Sequence, residues 1–101
     1  MKQYNKLVRD KISTIIKAKG QVAVTHIATP EEYDQKVREK LSEEVKEFLA
    51  SNNPEELADI LEVIYAIAGR MGHTKHTLEA VREKKANERG GFEEGIILEE
   101  S

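Results

Sequence analysis

Hydrophobic residues recur at helical spacing through the middle of the chain. Thr29 before Pro30 predicts a helix start, with Thr as the N-cap and Pro at the first helical position, and the helix runs to about Ala50. Its apolar stripe consists of Tyr33, Val37, Leu41, Val45, Phe48 and Leu49. After a polar break at 51–53, Pro54 opens another helix, whose stripe consists of Leu57, Ile60, Leu61, Ile64, Ile67, Ala68 and Met71. The pattern predicts an antiparallel helical hairpin with a tight loop.

Two further helices are predicted on either side of this hairpin. Apolar residues recur at helical spacing between Asn5 and Lys19, and Gly20 stands where that helix would stop. Near the other end, Gly69 and Gly72 terminate the hairpin. Thr74 or His73 can then cap a last helix that continues to Arg89-Gly90-Gly91. The expected fold is an all-α bundle of about four helices in a single domain, 1–101.

Two short segments show a β-like pattern instead. Residues 21–28 carry β-branched side chains with partial alternation, and residues 92–98 include Ile96-Ile97-Leu98 after a glycine pair. We expect these segments to pair as a short two-stranded β ribbon.

Composition narrows the classes of function. The chain has no cysteine, which excludes disulfides, thiolate metal ligands and a cysteine nucleophile. Its net charge of -3 gives no basic footprint for duplex nucleic acid. No apolar run approaches the roughly 20 residues that span a bilayer, and no signal peptide is recognisable. We expect a cytoplasmic protein with neither duplex nucleic acid nor membrane as a partner.

Acidic residues of the hairpin are arranged around its apolar stripes. With about 100° of rotation per helical residue, Glu44 and Glu56 fall about 60° from the centre of their stripes, and Glu47 and Asp59 about 120°. All four are offset from their stripes in the same rotational sense. In an antiparallel helix pair, side chains with the same offset point to the same side of the pair. Glu47 lies level with Glu56, and Glu44 with Asp59. The four carboxylates are therefore predicted to converge, unlike Glu55, which is expected at the surface with Glu62.

Converging carboxylates beside an apolar face need protons or a cation to offset their repulsion. An all-oxygen ligand set suits Mg2+, with Mn2+ as the alternative, whereas zinc usually takes nitrogen or sulfur ligands. The competing interpretation is a solvated helix face, because Glu43 and Glu47 can form surface ion pairs with Lys40 or Lys46. Glu43 itself is expected either to support the ligands or to face solvent.

The acidic pattern also carries a resemblance to a known superfamily. Glu43-Glu44-Val45-Lys46-Glu47, eight residues and then Glu56-Leu57-Ala58-Asp59 resemble the EExxE and ExxD motifs of the all-α NTP pyrophosphatases. Residues 5–12, Asn-Lys-Leu-Val-Arg-Asp-Lys-Ile, and 89–92, Arg-Gly-Gly-Phe, are similar to a MazG-like, phosphoribosyl-ATP pyrophosphohydrolase-like branch. The resemblance implies a MazG-like helical bundle.

The resemblance further implies metal ligands and a reaction. Glu44, Glu47, Glu56 and Asp59 would hold Mg2+ with Glu43 assisting, and the enzyme would cleave the α–β phosphate bond of a nucleoside triphosphate. Such a reaction yields a nucleoside monophosphate and pyrophosphate, and in this superfamily it removes noncanonical nucleotides. Glu44 or Glu47 would accept the proton of the attacking water.

A triphosphate also requires cations. Candidate phosphate ligands are Lys84, Lys85, Arg89, Arg9 and Lys11. Three of these residues have alternative roles: Lys84 and Lys85 suit the negative end of a helix dipole, and Arg9 can pair with Asp10.

A homodimer or homotetramer is expected, because a small domain leaves much apolar surface exposed. Two other functions remain open: a noncatalytic metal- or nucleotide-binding helical module, and a purely structural interaction hairpin.

Overall fold

The chain forms four α-helices. A computed structural model describes residues 2–101, and within that range there are helices but no strands. In chain order they are α1 (Ile12–Ala18), α2 (Pro30–Ser51), α3 (Pro54–Arg70) and α4 (Lys75–Arg89). The predicted all-α class is confirmed.

Helices α2 and α3 form the predicted antiparallel hairpin, and side-chain caps fix both helix starts. Thr29 Oγ1 accepts a hydrogen bond from the Glu32 amide at 3.2 Å, and Asn53 Oδ1 accepts one from the Glu55 amide at 3.0 Å. Between the helices, Asn52 adopts a left-handed conformation with φ 53°, which asparagine tolerates better than most residues. The loop is consequently only two residues long.

Helix α1 is shorter than the predicted span of 5–19. It begins at Ile12, and Asn5 has a φ of 47°, which is incompatible with a right-handed helix. Instead, the segment before α1 lies across the hairpin, where Lys6 and Arg9 form ion pairs with α2 and α3. Helical periodicity therefore predicts too long a helix here, because it does not register the ion pairs that Lys6 and Arg9 form with the hairpin.

Helix α4 begins and ends at predicted signals. Thr74, rather than His73, is the N-cap. Its hydroxyl accepts a hydrogen bond from the Thr77 amide, and the Thr77 hydroxyl accepts one from the Thr74 amide, which forms a capping box. The helix ends before Gly90, whose φ is 84°. Helix α4 packs only against α3, and α1 packs against none of the other helices within residues 2–101.

The predicted β ribbon is wrong. Residues 21–28 run without strand pairing, and a turn closed by the Gly95 amide and the Phe92 carbonyl at 3.1 Å interrupts residues 92–98. Ile27 and Phe92 are 95% and 98% exposed. Neither segment meets a partner strand in the described chain, and alternation alone does not make a strand without one.

The core of a single chain is very small. Among the described residues, Val37 and Ala68 are the buried apolar side chains. The radius of gyration is 17.6 Å, whereas a compact domain of this length has about 13 Å. None of the described helices is both long and apolar enough to cross a membrane. The parts of the chain that are held together are the α2–α3 hairpin and the N-terminal segment that lies across it.

Candidate metal centre

Three carboxylates meet between α2 and α3. Glu44 of α2 and Glu56 and Asp59 of α3 each place one oxygen within 4.8 Å of the others. These residues, hereafter the carboxylate cluster, belong to the predicted set of four. They meet because the helices are antiparallel and the short loop puts Glu44 level with Asp59, while Glu56 lies one turn away on the same side of α3.

Glu44 is the buried member of the cluster. Its side chain is 9% exposed, and Oε1 lies 3.1 Å from the Lys40 ammonium, one helical turn away. The other oxygen, Oε2, is fully buried and has no hydrogen-bond partner in residues 2–101. A buried carboxylate oxygen without a donor is unfavourable, and either a cation or a proton can offset that cost.

Glu47 lies beside the cluster rather than within it. It is exposed, and the negative charge of Glu44 raises its pKa most, followed by partial desolvation. Lys40 opposes this rise without overcoming it. The structure thus brings three predicted ligands together. The fourth, Glu47, lies close enough for their negative charge to raise its pKa.

The α3 side of the cluster shows the same crowding. Desolvation raises the pKa of Glu56, and the negative charges of Glu47, Asp59 and Glu44 raise it further. Charge repulsion among these groups favours protonation or a bound cation. The carboxylates are therefore close enough to interact strongly even without an ion.

Arg9 neutralises one member of the cluster. Its guanidinium donates a hydrogen bond from Nη2 to Asp59 Oδ1 at 2.8 Å, across 50 residues of sequence. The alternative pairing with the adjacent Asp10 is not the one adopted. Asp59 thus has a cationic partner, whereas Glu56 has no ion pair within residues 2–101.

Glu43 joins the cluster to the N-terminal segment. Its Oε1 lies 3.1 Å from Lys6 and 3.6 Å from Lys40. Burial is the largest single influence on the pKa of Glu43 and would raise it, but the hydrogen bond from Lys6 and the charges of Lys40 and Lys6 together lower the pKa. The same hydrogen bond raises the pKa of Lys6. Glu43 is therefore a charged, half-buried partner of two lysines and not a member of the carboxylate cluster.

Most of the other predicted phosphate ligands lie apart from these ion pairs. Lys11 is exposed at the start of α1. On α4, Lys84 lies 3.9 Å from Glu88 of the same helix, and Lys85 and Arg89 are exposed. Within residues 2–101, Arg9 is the one predicted phosphate ligand that forms an ion pair with the cluster.

Lys40 is more central to the site than the sequence pattern predicts. The pattern predicts only a surface partner for nearby glutamates, yet the Lys40 side chain is 17% exposed and pairs with both Glu43 and Glu44. The signal was available in the i,i+4 spacing of Lys40 and Glu44 on the side of α2 that faces the cluster.

The donor set fits a hard divalent cation. It consists of carboxylate oxygens, and no histidine joins it in the described chain. Three carboxylates at this spacing can hold an ion and leave coordination positions open, as Mg2+ or Mn2+ sites that bind phosphates require.

Comparison of the chain with protein-family models, with curated protein sequences and with solved structures finds no match.

Proposed function

We propose that this protein is a Mg2+-dependent nucleoside triphosphate pyrophosphohydrolase that cleaves the α–β phosphate bond. The observation that carries this proposal is the carboxylate cluster, in which Glu44 holds a buried, unpaired oxygen beside two further acids. The motifs of the hairpin and both termini add the resemblance to MazG-like pyrophosphatases, which supplies the reaction.

Glu44, Glu56 and Asp59 are the proposed metal ligands, and Glu47 completes the set by a side-chain rotation. Glu47 is exposed and therefore free to reorient at little cost, whereas Glu44 is fixed by burial and by Lys40. When bound, Mg2+ neutralises phosphate charge and activates water. Mn2+ suits the same oxygens.

Glu47 is the better candidate for proton acceptor. Water must lose a proton as it adds across the phosphoanhydride, giving a nucleoside monophosphate and pyrophosphate. Glu47 is exposed and lies beside Glu44, so its carboxylate can reach a water held at the cluster. Glu44 is less suitable, because one of its oxygens is already held by Lys40.

Arg9 is the best-placed phosphate ligand. A guanidinium binds phosphate oxygens in a planar, two-pronged geometry, and Arg9 is already next to the proposed ligand Asp59. Lys11 follows two residues later. We assign a supporting role to Lys84, Lys85 and Arg89, whose side chains are exposed on α4.

We further propose that the active form is a homodimer or homotetramer. The single chain exposes 8985 Å2, whereas a compact protein of its mass exposes about 5,800 Å2. The excess of roughly 3,000 Å2 exceeds the area that one partner contributes to a standard interface. Five half-exposed apolar residues line one side of the hairpin and form what we call the apolar edge: Val45, Leu49, Leu57, Leu61 and Ile64.

The decisive experiment is a panel of nucleoside triphosphates, including dUTP and phosphoribosyl-ATP, incubated with Mg2+ and assayed separately for pyrophosphate and orthophosphate. We expect pyrophosphate with at least one nucleotide, and loss of the product with EDTA or in Glu44→Gln. Orthophosphate alone would refute cleavage at the α–β bond. Metal binding without any product would favour a noncatalytic binding module, and no metal dependence at all would favour a structural hairpin.

A further inference from the structure

The N-terminal segment lies over the carboxylate cluster and is tied to it at two points. Lys6 reaches Glu43 at 3.1 Å, and Arg9 reaches Asp59 at 2.8 Å. These pairs join residues 37 and 50 positions apart, so they hold the segment to both helices of the hairpin. We call residues 4–9 the strap.

The strap supplies positive charge where the proposed metal would bind. The Arg9 guanidinium and a divalent cation would both bind the carboxylate of Asp59. Both also add positive charge at one place, so occupancy by one opposes occupancy by the other. Arg9 is 57% exposed in its side chain, and its hydrogen bond is therefore weak enough to exchange.

We propose that the strap is a resident counter-ion: Arg9 holds Asp59 until a divalent cation displaces it, and the released guanidinium then binds the phosphates of the substrate. This inference rests on the proposed function, since it assumes that the carboxylate cluster binds metal. Arg9 would then couple the two ligands. It would weaken binding of the metal alone and strengthen binding of the triphosphate.

The backbone of the strap is consistent with a segment held by its side chains. Asn5, next to Lys6, has a φ of 47°, in the left-handed region that asparagine tolerates better than most residues and that no helix continues through. No helix includes residues 4–9, and the tyrosine at its start is 62% exposed. Release of the two ion pairs therefore breaks no regular secondary structure.

Linkage gives the arginine opposite effects on the two ligands. Removal of Arg9 deletes a competitor for Asp59, so Arg9→Gln should tighten Mn2+ binding in the absence of nucleotide. An exposed ion pair of this kind supports a change of roughly two- to fivefold. The same variant should bind an uncleavable α,β-methylene triphosphate with Mn2+ about 10- to 100-fold more weakly, because a charge-assisted hydrogen bond is lost.

The test measures both affinities by calorimetry in wild type, Arg9→Gln and the charge-matched control Lys17→Gln. Lys17 lies on α1, and in residues 2–101 it forms no ion pair. We expect Lys17→Gln to match wild type for both ligands. Lys6→Gln should tighten Mn2+ binding less than Arg9→Gln, because its partner Glu43 lies outside the carboxylate cluster.

Proton exchange of the Arg9 side chain, followed by NMR, provides an independent readout on the wild-type chain. The guanidinium protons, which include the donor to Asp59, should exchange with water faster when Mg2+ alone is added, and slower again when the methylene analogue follows. A strap with only a structural role would show no change on addition of Mg2+.

The outcomes separate the two proposals. Metal binding that is unchanged or weakened in Arg9→Gln overturns the strap and leaves the metal centre standing. Absence of metal binding in every variant, wild type included, overturns the metal centre and the strap with it.

Discussion

The two sides of the α2–α3 hairpin share a helical backbone but carry opposite kinds of side chain. On one side Glu44, Glu56 and Asp59 crowd together, and on the other the apolar edge is exposed by 36% to 69% per residue. In α2, Glu44 and Leu49 differ by about 140° of rotation, so the buried contact with α3 lies between them.

The difference shows how a small hairpin separates chemistry from assembly. Charge repulsion on the acidic side is relieved by positive charge or by a proton, whereas exposure of the apolar edge is relieved by other apolar surface. A substitution on either side should consequently affect one property and spare the other.

The largest effect is expected from Glu44→Gln. The variant keeps the size of the side chain but removes the charge that the buried site offers to a cation. Loss of a hydrogen-bonding partner around a metal commonly costs 10- to 100-fold, so loss of a ligand should lower activity and Mn2+ affinity by about 100-fold or more. Activity and calorimetric titration should be measured together, with sedimentation as the check that assembly is unchanged.

Glu62→Gln is the matched control for that experiment, because Glu62 lies on the exposed surface of α3. It should retain wild-type activity and metal affinity. An equal loss in both variants would mean that overall charge, rather than the cluster, controls binding.

The apolar edge should respond to Leu61→Glu. Leu61 is 45% exposed, so the charge is tolerated in an isolated chain but not in an interface. Loss of roughly 1–2 kcal/mol of apolar burial per subunit, counted twice across a symmetric interface, raises the dissociation constant on the order of 100-fold. Analytical ultracentrifugation across a concentration series measures the shift. Leu61→Met should preserve the assembly, and a wild-type chain that stays monomeric at every concentration would contradict the proposed interface.

Much of the hairpin was predictable because its signals are local. Thr29 and Asn53 act as caps through hydrogen bonds to residues two or three positions away, and such pairs can be read directly from sequence. The meeting of Glu44 with Asp59 was predictable for a related reason. A short loop fixes the height of one helix against the other, and helical rotation then fixes the side.

The parts that were not predictable depend on distant partners. The approach of Arg9 to Asp59 joins residues 50 positions apart, and no periodicity records it. The β pattern at 21–28 failed for the same reason, since a strand exists only where another strand meets it. Ile27, at 95% exposure, meets neither a strand nor a core.

A smaller effect is expected from Glu56→Gln in the metal-free protein. Burial and the charges of Glu47 and Asp59 raise the pKa of Glu56 in the folded state above its ordinary value of 4.5. The folded chain therefore holds this proton more tightly than the unfolded chain, and stability falls as pH rises from 4.5 through the raised pKa. In EDTA, Glu56→Gln should raise the melting temperature at pH 7 by a few degrees. It should also flatten the dependence on pH.

Added Mg2+ should make wild type more stable than Glu56→Gln, the reverse of their order in EDTA. Wild type gains stability from an ion that binds only the folded state, whereas Glu56→Gln has lost a ligand and gains less. Thermal melts with and without Mg2+ measure both differences. A variant that is less stable than wild type in EDTA would show that Glu56 is not under repulsion.

The smallest effect is expected at the open end of the hairpin, in an ion pair that belongs neither to the carboxylate cluster nor to the apolar edge. Arg70 donates to both oxygens of Asp34 at 2.7 and 3.0 Å, and this hydrogen bonding lowers the pKa of Asp34 below its ordinary value of 3.8. The stabilisation is thus complete above pH 3.8 and is lost as pH falls through the lowered pKa. Asp34→Asn should lower the melting temperature at pH 7 slightly, because exposed ion pairs contribute little. Asp34 lies about 15 Å along α2 from Glu44, so metal affinity and the dissociation constant should both remain at wild-type values. A change in either one would mean that the hairpin transmits strain along its length, and the separation between its acidic and apolar sides would then fail.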